Sequence, residues 1–178
     1  MKKAVFFDRD GVINESIYIN GKSYPPNNEK TVRIMPGIHD VLAMLMKGSF
    51  LTIVVTNQPN ISRGIQTKEQ VDRINQYLFN ELPIDKIYTC PHDDHDNCKC
   101  RKPKSGMLLQ AQKEYDIDFS KSWMIGDRWS DMEAGKTVGC KTIFVDYGYK
   151  EIKPFTFDYK VMYVGDILEV IYDNKNLR

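Results

Sequence analysis

No stretch of the 178 residues is apolar over the ~18 to 20 positions that a bilayer-spanning helix needs, so no membrane-spanning helix is expected. The start, Met1-Lys2-Lys3, enters a short Val5-Phe6-Phe7 run that ends in charges, which reads as neither a signal peptide nor an anchor. An excess of one charge sign is also missing. Lys+Arg of 25 against Asp+Glu of 24 gives a formal charge of +1, without the basic excess that a general nucleic-acid or acidic-membrane surface requires. Cysteine is scarce at 4 residues, and Cys90, Cys98 and Cys100 share one short stretch with His92 and His95, leaving only Cys140 and His39 elsewhere. That clustering excludes a disulfide framework in favour of metal ligands and suits a reducing cytoplasm, the expected location. At roughly 150 residues per domain the chain has no room for a second folded domain.

What is present is ordinary for a folded protein: 42% hydrophobic and 28% charged residues, enough to bury a core across a single domain spanning 1–178. Apolar runs of strand length at Ala4–Phe7, Leu51–Val55, Ile87–Thr89, Trp123–Ile125 and Thr142–Val145 alternate with helical patterns. Behind Pro36-Gly37, the residues Ile38, Val41, Leu42 and Leu45 fall at helical spacing. Val71, Ile74, Leu78 and Leu82 do the same behind Thr67, whose partner Gln70 completes a capping box. Met107–Tyr115 is a third helix, and Ser130 with Glu133 predicts a capping box for a fourth that Gly139 ends. Asn20–Lys30 reads as a loop, and Tyr159–Tyr172 as a last strand and helix without a motif. Strand-helix alternation predicts a parallel sheet with helices on both faces, and ligands in such sheets bind beyond the carboxyl ends of the strands.

The residues just past those ends are therefore the ones to inspect. Asp8-Arg9-Asp10-Gly11 follows the first run, Thr56-Asn57-Gln58 the second, and Gly126-Asp127-Arg128 the fourth, with Asp131 one helical turn on. Side-chain alternation in an extended chain would put Asp8 and Asp10 on one side and turn Arg9 away, so Arg9 is assigned no role. Two carboxylates repel unless a cation sits between them, so Asp8, Asp10 and Asp127 suggest oxygen ligation of Mg²⁺. Arg128, next to Asp127, is open to ion pairing or to substrate contact. Trp123 and Trp129 are assigned to core or wall, and nucleic acid is not an expected partner.

With the basic cluster Arg101-Lys102-Pro103-Lys104 between the second and last of these motifs, the chain resembles the haloacid dehalogenase-like phosphohydrolases over about Val5 to Tyr149. Cys90-Pro91-His92 and Cys98-Lys99-Cys100-Arg101-Lys102-Pro103 narrow the resemblance to the capless zinc-containing branch of heptose bisphosphate and histidinol phosphatases. The resemblance implies a Rossmann-like three-layer α/β sandwich without a cap domain. It also implies that Asp8 is the nucleophile and Asp10 the general acid and base. Mg²⁺ would be held by Asp8, the Asp10 carbonyl and Asp127, with Asp131 reaching it through water. Thr56, the Asn57 amide and Lys102 would hold the phosphoryl group, and Arg101 the same phosphate or the rest of the substrate. Only about two dozen positions separate Val12 from the Pro36-Gly37 helix start, and one helix, one strand and the cysteine loop fill the later interval, so neither holds a cap.

Cys90 with His92, and Cys98 with Cys100, are period-two pairs. Folding the loop between them closes a tetrahedral Cys₃His site, whose natural occupant is structural Zn²⁺. His95 is the alternative nitrogen donor; His92 is preferred because it matches the branch pattern and because His95 lies among Asp93, Asp94 and Asp96. A metal there would hold rigid the backbone that carries Arg101 and Lys102. The substrate is a small phosphorylated metabolite. Ser62-Arg63-Gly64 and Lys102–Met107 look like the heptose bisphosphate phosphatases, with Arg63, Arg101 and Lys104 as a second anionic subsite. The short His92 to Cys98 interval looks like the histidinol phosphatases. A sugar bisphosphate is preferred; histidinol phosphate, another sugar phosphate, or a non-catalytic zinc and phosphate-binding module are the alternatives.

Overall fold

The structure, a computed structural model, describes residues 1–19 and 22–173. Its centre is a six-stranded sheet, all parallel, in the order β5-β4-β1-β6-β7-β8. The strands are β1 (Lys3–Phe7), β4 (Phe50–Asn57), β5 (Lys86–Cys90), β6 (Trp123–Gly126), β7 (Lys141–Val145) and β8 (Tyr159–Val161). Each predicted strand is present, and the alternation of its side chains supplies two cores. Val5, Phe7, Val54, Ile125, Ile143 and Val145 face α1 (Ile38–Lys47), α2 (Lys68–Glu81) and α5 (Ile167–Asp173). Ala4, Phe6, Ile53, Val55 and Met124 face α3 (Gly106–Tyr115) and α4 (Trp129–Val138). This is the Rossmann-like three-layer arrangement, and Cys140 belongs to the second core, apart from the other three cysteines.

α1 buries Ile38, Val41, Leu42 and Leu45, the four residues its spacing singles out, and the Thr67–Gln70 box caps α2. The cap of α4 differs from expectation. The helix starts at Trp129, the Asp131 carboxylate accepts the Arg128 N–H at 3.1 Å, and Ser130 and Glu133 form no box; Gly139 ends the helix at φ 85° as predicted. The segment read as a loop from Asn20 is partly ordered. Strands β2 (Ile17–Ile19) and β3 (Lys22–Tyr24) pair antiparallel, and Asn28 caps a 3₁₀ turn at Glu29–Thr31; Asn20 and Gly21 themselves lie outside the described residues. This hairpin and turn occupy the interval between β1 and α1. No helix among the described residues is long and apolar enough to cross a membrane.

The strand order places β1 between β4 and β6. The chain runs from β1 outward on one side and returns across to β6 on the other, so the ends of β4, β1 and β6 flank the point where the winding reverses, where such sheets bind ligands.

Candidate active site

The chain leaves the extended conformation at Asp8. The N–H groups of Val12, Ile13 and Asn14 all turn back on the Arg9 carbonyl at 3.3, 2.8 and 3.0 Å, and Gly11 takes φ 95°. Gly11 is required by space as well as by dihedral, because a Cβ there would lie 2.2 Å from Asp127 Oδ2. Gly11→Ala is therefore expected to destabilise the protein by about 3 kcal/mol or more and to push Asp127 out of place. Denaturant unfolding checks this; a loss within ~0.5 kcal/mol, the range of an ordinary surface substitution, would contradict it.

Asp8, Asp127 and Asp131 are all buried, and a carboxylate oxygen from each lies within 4.8 Å of the others. Lys102, only 3% exposed, joins them with Nζ 2.9 Å from Asp8 Oδ1 and 2.6 Å from Asp131 Oδ1. Three carboxylates thus face one ammonium. Both oxygens of Asp127 are buried with no hydrogen-bond partner, which is costly unless a cation takes them. Burial first, then the charges of Asp8 and Asp131, push the Asp127 carboxyl well above its usual range. Burial likewise pushes Asp131 up to about 6, with Lys102 opposing and Asp8 adding to the shift. The donor set and its unrelieved negative charge fit a hard divalent cation.

Asp10, expected among the metal carboxylates, turns its side chain elsewhere. Its two oxygens accept from Arg9 at 3.2, 3.2 and 3.0 Å, from Asn14 at 3.0 Å and from Gln58 at 2.7 Å. Burial would raise its pKa, but Arg9, Asn14 and Gln58 together outweigh burial and hold it below the usual value. Alternation fails for Arg9 because the backbone here is a turn rather than a strand, so the side chain folds onto Asp10 and is fully buried. Gln58 also donates to Thr56 Oγ1 at 2.8 Å, joining Thr56 and Asp10. Arg9, Asn14 and Gln58 were not among the expected site residues; the available signal was that Gln58 follows Thr56 at the period-two position.

Asn57 is committed to the backbone of Lys102. Its Nδ2 donates to the Lys102 carbonyl at 2.9 Å and its Oδ1 accepts the Lys102 N–H at 3.0 Å, so its side chain orients the lysine rather than facing the site. Arg128 donates to the Ser23 carbonyl at 3.3 Å and stands 3.7 Å from Glu151, tying β3 to the segment after β7.

Cys90, His92, Cys98 and Cys100 converge with ligand atoms within 4.8 Å of one another. The sulfur pairs are 3.0 to 3.6 Å apart and His92 Nδ1 is 3.3 Å from Cys100 Sγ. The edges of a tetrahedron around zinc at ~2.3 Å Zn–S distance would be about 3.7 Å, so the four donors stand close to that arrangement. Burial pushes the Cys90 and Cys100 thiols up; at Cys98 burial is outweighed by the Arg101 N–H and the neighbouring thiols, which bring it down to about 7, so two of the three thiolates are disfavoured without a cation among them. His95 stays outside, its side chain 75% exposed.

The three cations expected in a second anionic subsite all contact this loop. Arg63 grips Asp93 with two bonds of 2.5 and 2.7 Å, Arg101 Nε meets Asp94 at 2.7 Å, and Lys104 donates to Asn97 Oδ1 and the Cys98 carbonyl at 2.8 and 2.7 Å. Ser62 adds a bond to Asp96 at 2.7 Å. The acidic run Asp93–Asp96 is thus tied down by the chain on either side of it.

A family model described as HAD-hydrolase-like matches residues 99–169. The D-glycero-alpha-D-manno-heptose-1,7-bisphosphate 7-phosphatase of Campylobacter jejuni is 38% identical over 80% of this chain and 81% of its own. The chain belongs to the haloacid dehalogenase-like phosphatase family. The beta-anomer 7-phosphatase of Pasteurella multocida is 37% identical over 97% of this chain and 95% of its own. Among solved structures, the D,D-heptose 1,7-bisphosphate phosphatase of B. bronchiseptica, complexed with magnesium and phosphate, superposes with a TM-score of 0.78. It covers 97% of this chain and 99% of its own at 23% identity, a likeness of fold.

Proposed function

We propose that the chain hydrolyses a sugar bisphosphate, D-glycero-D-manno-heptose 1,7-bisphosphate, through a phosphoryl group carried on Asp8. The observation that carries the reaction is the buried grouping of Asp8, Lys102 and Asp131 beside the unpartnered oxygens of Asp127. A dianionic phosphoryl group needs positive charge around it and a nucleophile in line, and this grouping offers both. Asp8 attacks phosphorus and becomes an aspartyl phosphate, which splits the hydrolysis into two displacements. Lys102, held by Asn57 and Asp131, presents its ammonium to the transferring oxygens. Thr56 contributes its hydroxyl beside Gln58. Asp10 protonates the departing alcohol and then takes a proton from the water that attacks the phosphoenzyme. Mg²⁺, held by Asp8, the Asp10 carbonyl and Asp127 with Asp131 behind, would supply the charge that neutralises phosphoryl oxygens. Zn²⁺ would be held by Cys90, His92, Cys98 and Cys100 as a structural cross-link, its thiolates kept reduced in a cytoplasm.

The substrate follows from the likeness to heptose bisphosphate phosphatases at 37 to 38% identity. Arg63, Arg101 and Lys104 each contact the cysteine loop, and a second phosphate there would compete with Asp93 and Asp94 for the two guanidiniums. The test compares kcat/KM for heptose 1,7-bisphosphate, the matching monophosphate and histidinol phosphate, in the wild type and in Arg63→Ala. The bisphosphate is expected to lead by about tenfold or more, one charge-assisted contact's worth, and Arg63→Ala to narrow that lead. A preference for histidinol phosphate, or an equal effect of Arg63→Ala on both sugars, would replace this substrate. No phosphate release from any of the three would favour the non-catalytic module.

A further inference from the structure

Among the described residues Arg9 is the largest fully buried side chain, and it is a cation. A hydrocarbon of similar volume would fill that space without the cost of desolvating a guanidinium, so its contacts must be sought outside packing. They are of two kinds. Towards the site, Nε and Nη2 reach Asp10 Oδ1, both at 3.2 Å, and Nη2 also reaches Oδ2 at 3.0 Å. Away from it, Nη1 donates to Asn75 Oδ1 on α2 at 2.9 Å, and Asn75 Nδ2 donates to Thr89 Oγ1 on β5 at 3.0 Å. The guanidinium is therefore anchored by a helix and a neighbouring strand while its planar fork holds both oxygens of one carboxylate.

We propose that Arg9, set by Asn75, is a positioning residue that aims the Asp10 carboxyl at the oxygen of the leaving group; the proposal rests on the assignment of Asp10 as general acid and base. A carboxylate held at one oxygen swings about its Cβ–Cγ bond. Held at both by a planar fork, with Asn14 on one oxygen and Gln58 on the other, it keeps one plane. The side chain of Asp10 is 14% exposed, so a ligand can still reach it from the solvent side. Its neighbours present N–H groups to both oxygens, so a proton on Asp10 finds its acceptor on the open side. Proton transfer demands an approach of about 2.6 to 3.2 Å, and small misplacements are costly in rate.

The test uses two phosphate monoesters that differ in their need for a general acid: a sugar phosphate, whose alkoxide must be protonated as it leaves, and p-nitrophenyl phosphate, whose phenolate leaves without a proton. kcat/KM reports the phosphorylation step for both. Asp10→Asn serves as reference and should lose about 10² to 10⁴-fold more on the sugar phosphate than on the aryl phosphate. Arg9→Gln is expected to reproduce that bias at about tenfold or more, and Asn75→Ala, on the partly exposed side of α2, to move the ratio in the same direction by a smaller factor. A merely structural role would lower both substrates alike and leave the ratio unchanged. If Arg9→Gln does not fold, Asn75→Ala decides: an unchanged ratio overturns the proposal. A biased Asp10→Asn with unbiased Arg9 and Asn75 variants overturns the positioning role alone. An unbiased Asp10→Asn overturns the assignment of Asp10 on which it rests.

Discussion

Asp8→Asn is expected to lower kcat by about 10⁵-fold or more while the protein stays folded. The substitution is isosteric and outside the two cores. Its carbonyl oxygen still accepts the Arg9 N–H, which Asp8 Oδ1 now does at 2.7 Å, and Lys102 keeps its second partner Asp131. What is lost is the negative charge and with it the nucleophile. The effect on stability follows from the same geometry. Asp8 raises the pKa of Asp127 and of Asp131 by repulsion but also pairs with Lys102 at 2.9 Å, so in metal-free protein neutralising Asp8 removes a repulsion and an attraction together. The Tm of the metal-free variant is therefore expected to lie within a few degrees of the wild type, because the two effects oppose each other, and the difference to shrink as the pH falls and Asp127 and Asp131 protonate. Steady-state phosphate release, trapping of the phosphoenzyme and thermal melts at two pH values check these points. Retained turnover, or a phosphoryl adduct on a residue other than Asp8, would overturn the mechanism.

The second large effect concerns the cysteine cluster. Protein purified with metal is expected to carry a single tightly held zinc that Mg²⁺ does not displace, because four protein donors leave no open position for exchange. Replacing Cys98 with Ser should cost about 3 to 5 kcal/mol and lower Tm by roughly 10 °C or more. The consequence reaches the active site. The Cys90 carbonyl accepts the Gln58 N–H at 2.7 Å, and Lys102, two residues past Cys100, is held by Asn57. Loss of the cluster should therefore disorder residues 90–100 and reduce kcat together. After treatment with a strong chelator, the three clustered thiols should react quickly with a thiol reagent while Cys140, buried in the core, stays slow. Elemental analysis finding no zinc, or thiols equally reactive before and after chelation, would refute the closed site.

Much of this was readable along the chain, for reasons that can be named. The helix α1 buries the residues that its spacing picked out because period 3.6 and a one-sided core leave no other choice. The strands read as apolar runs because both faces of a parallel sheet are covered. Asp8, Thr56 and Asp127 could be placed on one edge because each directly follows a strand of the same direction. The convergence of Cys90, His92, Cys98 and Cys100 was legible because two period-two pairs on one short loop are brought together by local spacing.

The side-chain directions beyond the strand ends were not legible. Alternation turned Arg9 outward, but the chain had already entered a turn, and Arg9 reaches Asn75, 66 positions away. Gln58 meets Asp10 across 48 positions and Lys102 meets Asp131 across 29. The pair chosen as the cap of α4 gave way because the Asp131 carboxylate both accepts the Arg128 N–H and pairs with Lys102. Arg63, Arg101 and Lys104 were grouped by charge, and the fold brought Asp93, Asp94 and Asn97 to meet them. Sequence alone determined the strands of the central sheet, the helices between them, their order and the strand ends that carry the chemistry, because hydrophobic periodicity and chain direction are local properties; the β2–β3 hairpin, short and largely exposed, carried no such pattern. Which carboxylate meets a cation, which meets an arginine and which lysine is buried between them was decided only by tertiary structure, because a charge taken out of water must be paired with whatever partner the fold brings within about 3 Å of it.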